Sequence, residues 1–190
     1  MCTCRLWWSV GIGAFMTLAT LWPAVAQLPT YDVGRPPTAE EVQAWDLTIP
    51  SDGQGLPPGS GTAVLGKAIY TERCASCHGE QGEDPKYSRL VGGQGTLATD
   101  KPVRTIGSFW QYATTRWSYI RRAQPFDEPG SLTPDQVYAV TAYLLYLNRI
   151  IGEQDVMDAQ TLPLVKMPNR NGFVPDPRPD VGPVSSQPKR

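Results

Sequence analysis

Histidine and cysteine are both scarce in this 190-residue chain, and their scarcity narrows the chemistry available to it. His78 is the single histidine. Two of the four cysteines, Cys2 and Cys4, belong to a segment that we expect to be removed, which leaves Cys74 and Cys77. A structural zinc ion takes four protein ligands, so the remaining residues are one ligand short.

An excess of charge of either sign is also lacking. The chain has 17 basic and 18 acidic residues and a formal net charge of −1. Such a chain has no broad positive field to attract nucleic acid or an anionic membrane surface, so we expect neither as a partner. A local basic docking patch at Arg116, Arg121 and Arg122 remains compatible with this composition.

The longest apolar run ends before residue 27. Residues 7–21 are apolar and follow Arg5, and residues 23–26 read Pro-Ala-Val-Ala, which has the form of a cleavage site. This pattern predicts a signal peptide over residues 1–26, cleaved after Ala26, and therefore a periplasmic protein. The alternative is an uncleaved membrane anchor, because residues 7–26 are about long enough to span a bilayer.

Residues 74–78 read Cys-Ala-Ser-Cys-His, which is the C-x-x-C-H attachment pattern of a c-type haem. The thiols of Cys74 and Cys77 can each add to one vinyl group of the same porphyrin, and His78 can then serve as the proximal iron ligand. A thioredoxin-like pair requires a βαβ context, which this region lacks. A disulfide would leave His78 without a role. Because the pattern occurs once, we predict one covalent haem c.

Helical patterns lie on both sides of this motif. A capping-box pattern beginning at Thr38 predicts a short helix over 39–45. The apolar spacing predicts further helices over 62–73, 109–122 and 134–151, and the last of these begins with Thr133, Pro134 and Gln136. In the helix over 62–73, the expected apolar face consists of Val64, Leu65, Ala68 and Ile69.

The segment over 79–101 is rich in turn residues and is predicted to be a loop. Leu90 and Val91 are its candidates to cover the haem, and the carbonyl of Pro85 or of another nearby residue is expected to orient the ring of His78. Residues 153–190 hold seven prolines and little periodicity. We expect this tail to be wrapped over the domain or partly disordered, with disorder over 185–190.

The order of helix, C-x-x-C-H, loop, helix, loop and helix resembles the class I cytochromes c. Residues 66–70 and 142–144 match the positions at which the first and last helices of that family cross. The resemblance implies an all-α, class I cytochrome c fold, with three or four helices around one haem and Pro-rich N- and C-terminal extensions. The corresponding domains are a signal peptide (1–26), an N-terminal extension (27–60), a cytochrome c domain (61–151) and a C-terminal tail (152–190).

A narrower resemblance covers roughly residues 34–180. Its motifs are similar to those of cytochromes that partner molybdenum sulfite dehydrogenases, including the cytochrome subunit of the Sox sulfane dehydrogenase. They occupy residues 104–110, 112–115, 119–123, 125–126, 131–133 and 167–170. The resemblance implies a non-catalytic periplasmic electron carrier in the oxidation of sulfur compounds. Its donor is then a periplasmic molybdenum oxidoreductase, and its acceptor is another cytochrome or a terminal oxidase.

The chain departs from these cytochromes at the distal iron ligand. They read Met-Pro-Phe in the loop after the middle helix, and that methionine binds iron, whereas this chain reads Gln124-Pro125-Phe126. We rank Gln124 at or near the iron first and Met167 second, with a water or vacant site beside Gln124 as a third state. The departure also supports an alternative function, a haem protein with an open or weakly ligated distal site that binds small ligands or catalyses haem chemistry. Haem that serves only folding is a weaker option.

Overall fold

The structure, a computed structural model, describes residues 33–176 and 178. The predicted signal peptide over 1–26 and the predicted disorder over 185–190 lie outside the described residues. The described part contains five α-helices, a pair of two-residue strands and one short 3₁₀ turn. The predicted all-α class is confirmed. The helices are α1 Ala39–Trp45, α2 Ala63–Arg73, α3 Ala75–His78, α4 Ala113–Ala123 and α5 Pro134–Leu147.

The described residues belong to two units, one that ends at Glu41 and one from Val42 onward. In the described part of the first unit, the Glu41 N–H donates to the hydroxyl of Thr38, and the Glu41 carboxylate accepts the Thr38 N–H at 2.8 Å. This is the predicted capping box. It satisfies backbone donors that the first turn of a helix leaves unpaired, so α1 begins at Ala39 as predicted.

Helices α2 and α5 cross in close contact in the second unit. A Cβ atom added to Gly66 would lie 1.9 Å from the carbonyl oxygen of Ala139 and 2.8 Å from the Cβ of Tyr143. The Tyr143 ring packs against the ring of Tyr70, with 5.3 Å between ring centroids. Only glycine permits this approach, so the predicted crossing is confirmed and depends on the side chain that Gly66 lacks.

The face of α2 that is buried differs from the predicted one. Val64 and Leu65 are 45% and 60% exposed, whereas Ala63, Gly66 and Tyr70 are buried. The prediction was wrong for Val64, Leu65 and Ala68, whereas Ile69 is partly buried and packs against the core. It followed apolar side chains, while close contact with α5 selects the face that carries Gly66. Helix α2 begins as expected, since the Thr62 hydroxyl accepts the N–H of Leu65.

Helix α4 begins four residues later than predicted. The carbonyl of Phe109 accepts the side-chain amide of Asn169 at 2.8 Å instead of a helical N–H, and the backbone of Tyr112 is extended, with a φ of −135°. Helix α4 packs on α5 through Trp117 and Tyr138, whose ring centroids lie 5.2 Å apart. It ends at Ala123, close to the predicted end before Pro125.

Helix α5 starts as predicted and ends four residues earlier. Thr133 and Gln136 form the capping box, with Pro134 at the first helical position. The end is set by Asn148, whose side-chain amide donates to the carbonyl of Leu144 at 2.9 Å, and by Arg149, whose φ of +59° leaves the helical region. The same amide donates to the carbonyl of Leu90, so Asn148 also ties the long loop to α5.

Residues beyond α5 join the core. Strand β2 (Met157–Asp158) pairs antiparallel with β1 (Ser60–Gly61), in the register Ser60 to Asp158 and Gly61 to Met157. The core cluster also includes Leu162, Val165 and Met167 from this segment. Within the described part of the chain, no helix combines the length and the apolarity needed to cross a membrane.

Candidate haem-binding site

A cavity of about 750 Å³ lies where α2, α3, the long loop and α4 meet. Its volume is in the range typical of cofactor sites. The lining residues come from the end of α2 and from α3, from the loop, from α4 and from the segment after α4. They are Glu72, Arg73, Cys74, Ser76, Cys77, His78, Tyr87, Ser88, Leu90, Arg116, Tyr119, Gln124, Pro125, Phe126 and Asp127.

The backbone brings the three residues of the C-x-x-C-H motif to this cavity. Cys74 follows α2 directly, and its carbonyl accepts the N–H groups of Cys77 at 3.2 Å and His78 at 3.0 Å. Residues three and four apart share a face of a helical turn, so Cys74, Cys77 and His78 lie together. Gly79, with a φ of +81°, ends the turn. Both cysteines are free thiols in this structure.

A loop carbonyl holds the His78 ring. The ring Nδ1 lies 3.0 Å from the carbonyl oxygen of Ser88, and because a carbonyl only accepts, Nδ1 carries the proton. The Nε2 lone pair is then free to bind a metal. The prediction was the carbonyl of Pro85 or of another nearby residue, and the residue is Ser88 rather than Pro85. The chain turns sharply at Ser88, whose φ is +99°, and this turn presents the Ser88 carbonyl instead.

One of the two predicted loop residues lines the cavity. Leu90 is buried there, held by its N–H donation to the carbonyl of Gly82 at 2.8 Å and by the amide of Asn148. Val91, the other candidate, lies outside the cavity lining and beside the end of α5. Successive residues of an extended segment point in opposite directions, so only one of the pair can face the cavity.

The two candidates for the distal ligand are in different places. Gln124 lines the cavity just beyond α4, and its N–H still donates to the carbonyl of Ile120. Met167 is 3% exposed, belongs to the core cluster and is not among the residues that line the cavity. The Met167 alternative therefore lacks support, because the segment after the 3₁₀ turn at Leu162–Leu164 packs this side chain elsewhere.

The three arginines of the proposed basic patch differ in exposure. Arg122 is exposed and donates to the carbonyl of Ser118, and Arg121 lies over the Trp117 ring at 5.5 Å. Arg116 is 7% exposed and lines the cavity, so it does not share a surface with Arg121 and Arg122. Burial lowers the pKa of Arg116 to about 10.

Arg116 and Ser88 were not recognised as site residues from the sequence. Arg116, Ile120 and Gln124 are spaced four apart, so the helical period already placed Arg116 on the same face as Gln124. This spacing could therefore have identified Arg116 as a site residue from the sequence. No local sequence pattern indicates that the carbonyl of Ser88 contacts the His78 ring, because this contact depends on how the loop returns to α3.

The residues that line the cavity fit a haem c. Two thiols and an oriented imidazole face one space, with Leu90 as an apolar wall. Burial raises the pKa of the Cys74 thiol to about 11, while the charge of Arg116 acts in the opposite direction.

Comparisons with known proteins agree with this geometry. The family model for cytochrome c matches residues 63–148. The crystal structure of the sulfane dehydrogenase SoxCD from Paracoccus pantotrophus is similar, with 39% identity, a TM-score of 0.72 and an alignment that covers 85% of this chain and 80% of that one.

Two curated thiosulfate dehydrogenases are also similar over part of their length. The protein from Stutzerimonas stutzeri (strain A1501) is 30% identical over 90 residues, which are 46% of this chain and 28% of that protein. The protein from Psychrobacter arcticus (strain DSM 17307 / VKM B-2377 / 273-4) is 29% identical over 86 residues, 45% of this chain and 26% of that one. The chain therefore spans about a quarter of the length of these relatives.

The helical fold, the C-x-x-C-H cavity and the match to SoxCD over most of both chains lead to one conclusion. This chain belongs to the cytochrome c family, which implies an electron-transfer haem protein with covalently bound haem c.

Proposed function

We propose that this protein is a periplasmic monohaem cytochrome in which Cys74 and Cys77 bind one haem c and His78 is the proximal iron ligand. The observation that carries the proposal is the position of these three residues in one cavity, with Nδ1 of His78 3.0 Å from the carbonyl oxygen of Ser88. A hydrogen bond at that nitrogen fixes the ring orientation and makes Nε2 a better ligand. The predicted signal peptide over 1–26 supports export.

A bound haem supplies one-electron exchange between ferric and ferrous iron. The chain's own residues position it and limit its contact with water. Leu90 is a buried apolar wall on the loop side, and Asn148 fixes the backbone of Leu90 by accepting the N–H of Gly92 and donating to the carbonyl of Leu90. Phe126 is 88% exposed beside the cavity, which leaves an apolar edge where a redox partner can approach.

Haem staining on a denaturing gel tests the attachment. The wild-type chain, expressed with a cytochrome c maturation system, should retain haem-peroxidase activity after denaturation, because thioether bonds survive unfolding. Replacement of both Cys74 and Cys77 by alanine should abolish the stain, whereas Ser76→Ala, between them, should leave it unchanged. Staining that persists in the double variant would contradict the proposal.

We assign the electron donor by similarity to sulfur-compound dehydrogenases. The donor is a periplasmic molybdenum enzyme that oxidises sulfite or sulfane sulfur, and the acceptor is another cytochrome or a terminal oxidase. The similarity to SoxCD over 80% of its aligned chain supports a non-catalytic subunit or partner. Stopped-flow reduction by a purified molybdenum sulfite or sulfane dehydrogenase should depend on its substrate. No reduction by a competent enzyme would point to another donor.

A second candidate function is the binding of small ligands at a weakly ligated iron, and the presence of Gln124 favours it. An amide oxygen is a harder ligand than a thioether and favours ferric iron. We expect a midpoint potential below that of the Gln124→Met variant, and carbon monoxide binding by the reduced wild type that the variant blocks. A thioether-to-iron charge-transfer band in the wild type, lost in Met167→Ala, would show that Met167 is the ligand instead.

A further inference from the structure

Arg116 is a buried cation without an anionic partner among the residues that the structure describes. Its Nε atom is buried and has no hydrogen-bond acceptor. The ion pairs in the described part of the chain involve other arginines. Glu72 and Asp127 line the same cavity, yet neither forms an ion pair with Arg116.

Two aromatic rings offset only part of the free-energy cost of burying the charge of Arg116. The guanidinium carbon of Arg116 lies 5.2 Å from the ring centroid of Trp110 and 5.2 Å from that of Tyr119. Cation–π attraction is weaker than the loss of hydration that a fully buried charge suffers. The guanidinium N–H groups also need acceptors, and ring faces are poor ones. An anion in the cavity would supply both the charge and the acceptors.

The position of Arg116 places its charge on the α4 side of the cavity, the side that also carries Gln124. Arg116, Ile120 and Gln124 are spaced four apart in the sequence and share one face of α4. Arg116 and Gln124 both line the cavity, about two helical turns apart along that face. The guanidinium therefore borders the same space as the Gln124 side chain, and an anion in that space can accept its N–H groups.

We propose that Arg116 forms an anion-binding site on the Gln124 side of this cavity, which takes a small inorganic anion from solution. The site deepens the proposed function and rests on it, since the anion would bind beside the haem iron. Arg116 supplies the charge and the N–H donors, while Trp110 and Tyr119 hold the guanidinium. Such a site makes the distal face selective for anions over neutral ligands of similar size.

Spectral titration of the ferric holoprotein tests this site with one anionic and one neutral iron ligand, azide and imidazole. The variants are Arg116→Met, which removes the charge, and Arg116→Lys, which keeps it. Arg122→Met is the matched control, because it removes the same charge from an exposed position of α4 outside the cavity lining.

The Arg116→Met variant should bind azide at least tenfold more weakly, with its imidazole affinity within about threefold of the wild type. Arg116→Lys should retain most of the azide affinity, and Arg122→Met should retain both affinities. If Arg116→Met does not fold, Arg116→Gln should show the same selective loss of azide binding.

Three results would overturn the anion site. Equal losses of azide and imidazole affinity would mean that Arg116 only shapes the cavity. Unchanged azide affinity together with a shifted midpoint potential would assign the guanidinium to a haem carboxylate. Absence of covalent haem on the denaturing gel would overturn the proposed function as well, whereas haem with unchanged azide affinity overturns the anion site alone.

Discussion

Replacement of Gly66 by alanine should force helices α2 and α5 apart at their crossing. The added Cβ would lie 1.9 Å from the carbonyl oxygen of Ala139 and 2.5 Å from its carbonyl carbon, whereas ordinary Cβ contacts begin at 3.4 Å. Helices α2 and α5 would have to move apart by roughly 1.5 Å at this point. A gap of that size removes a large part of the dispersion attraction across the contact, including that of the Tyr70 and Tyr143 rings.

The magnitude follows from two opposing effects. Overpacking of a core contact costs about 1–3 kcal/mol, and a clash with backbone belongs at or above the top of that range. Alanine in place of glycine inside a helix gains about 1 kcal/mol of helix propensity. We therefore expect a net loss of at least about 2 kcal/mol in the free energy of unfolding, because the packing cost exceeds the gain.

Urea denaturation of the purified holoprotein, followed by helical circular dichroism, measures the change. Ala68→Gly, at an exposed position on the same helix, is the control and should cost about 1 kcal/mol through propensity alone. Adding Ala139→Gly to Gly66→Ala should not rescue stability, because the clash is with the backbone of Ala139. A Gly66→Ala protein as stable as the wild type would refute the close-approach argument.

Three further predictions concern single side chains. Thr133→Ala removes the acceptor for the Gln136 N–H and should lower the free energy of unfolding by about 1 kcal/mol in urea melts. Asn148→Ala leaves the Gly92 N–H without its acceptor and should cost at least about 2 kcal/mol, so a loss below about 0.5 kcal/mol would contradict its role. Backbone N–H donation, chiefly from Thr161, lowers the pKa of Asp158. Its contribution to stability is present above its unfolded pKa and lost as the pH falls through the lower folded value. The stability difference between wild type and Asp158→Asn should therefore be full at pH 7 and shrink below about pH 4 in thermal melts.

Local sequence patterns predicted some residues of the site and missed others. The C-x-x-C-H motif predicted Cys74, Cys77 and His78 as neighbours because one helical turn fixes their spacing. The resemblance to cytochromes that read Met-Pro-Phe at this place put Gln124 near the iron, and Gln124 lines the cavity. A nearby carbonyl was expected to orient His78, but its identity could not be predicted, because Ser88 reaches the ring only through the path of a loop that Asn148 holds from α5.

The sequence by itself determined the all-α class, the haem-attachment motif, and the starts of α1, α2 and α5, because caps and motifs act within a few residues. The tertiary structure decided the rest. Packing against α5 selected the glycine-bearing face of α2 over its more apolar one, buried Met167 in the core and enclosed Arg116 in the cavity. These outcomes depend on contacts between residues far apart in the chain, where the volume of a partner side chain or the reach of a backbone carbonyl outweighs local hydrophobicity.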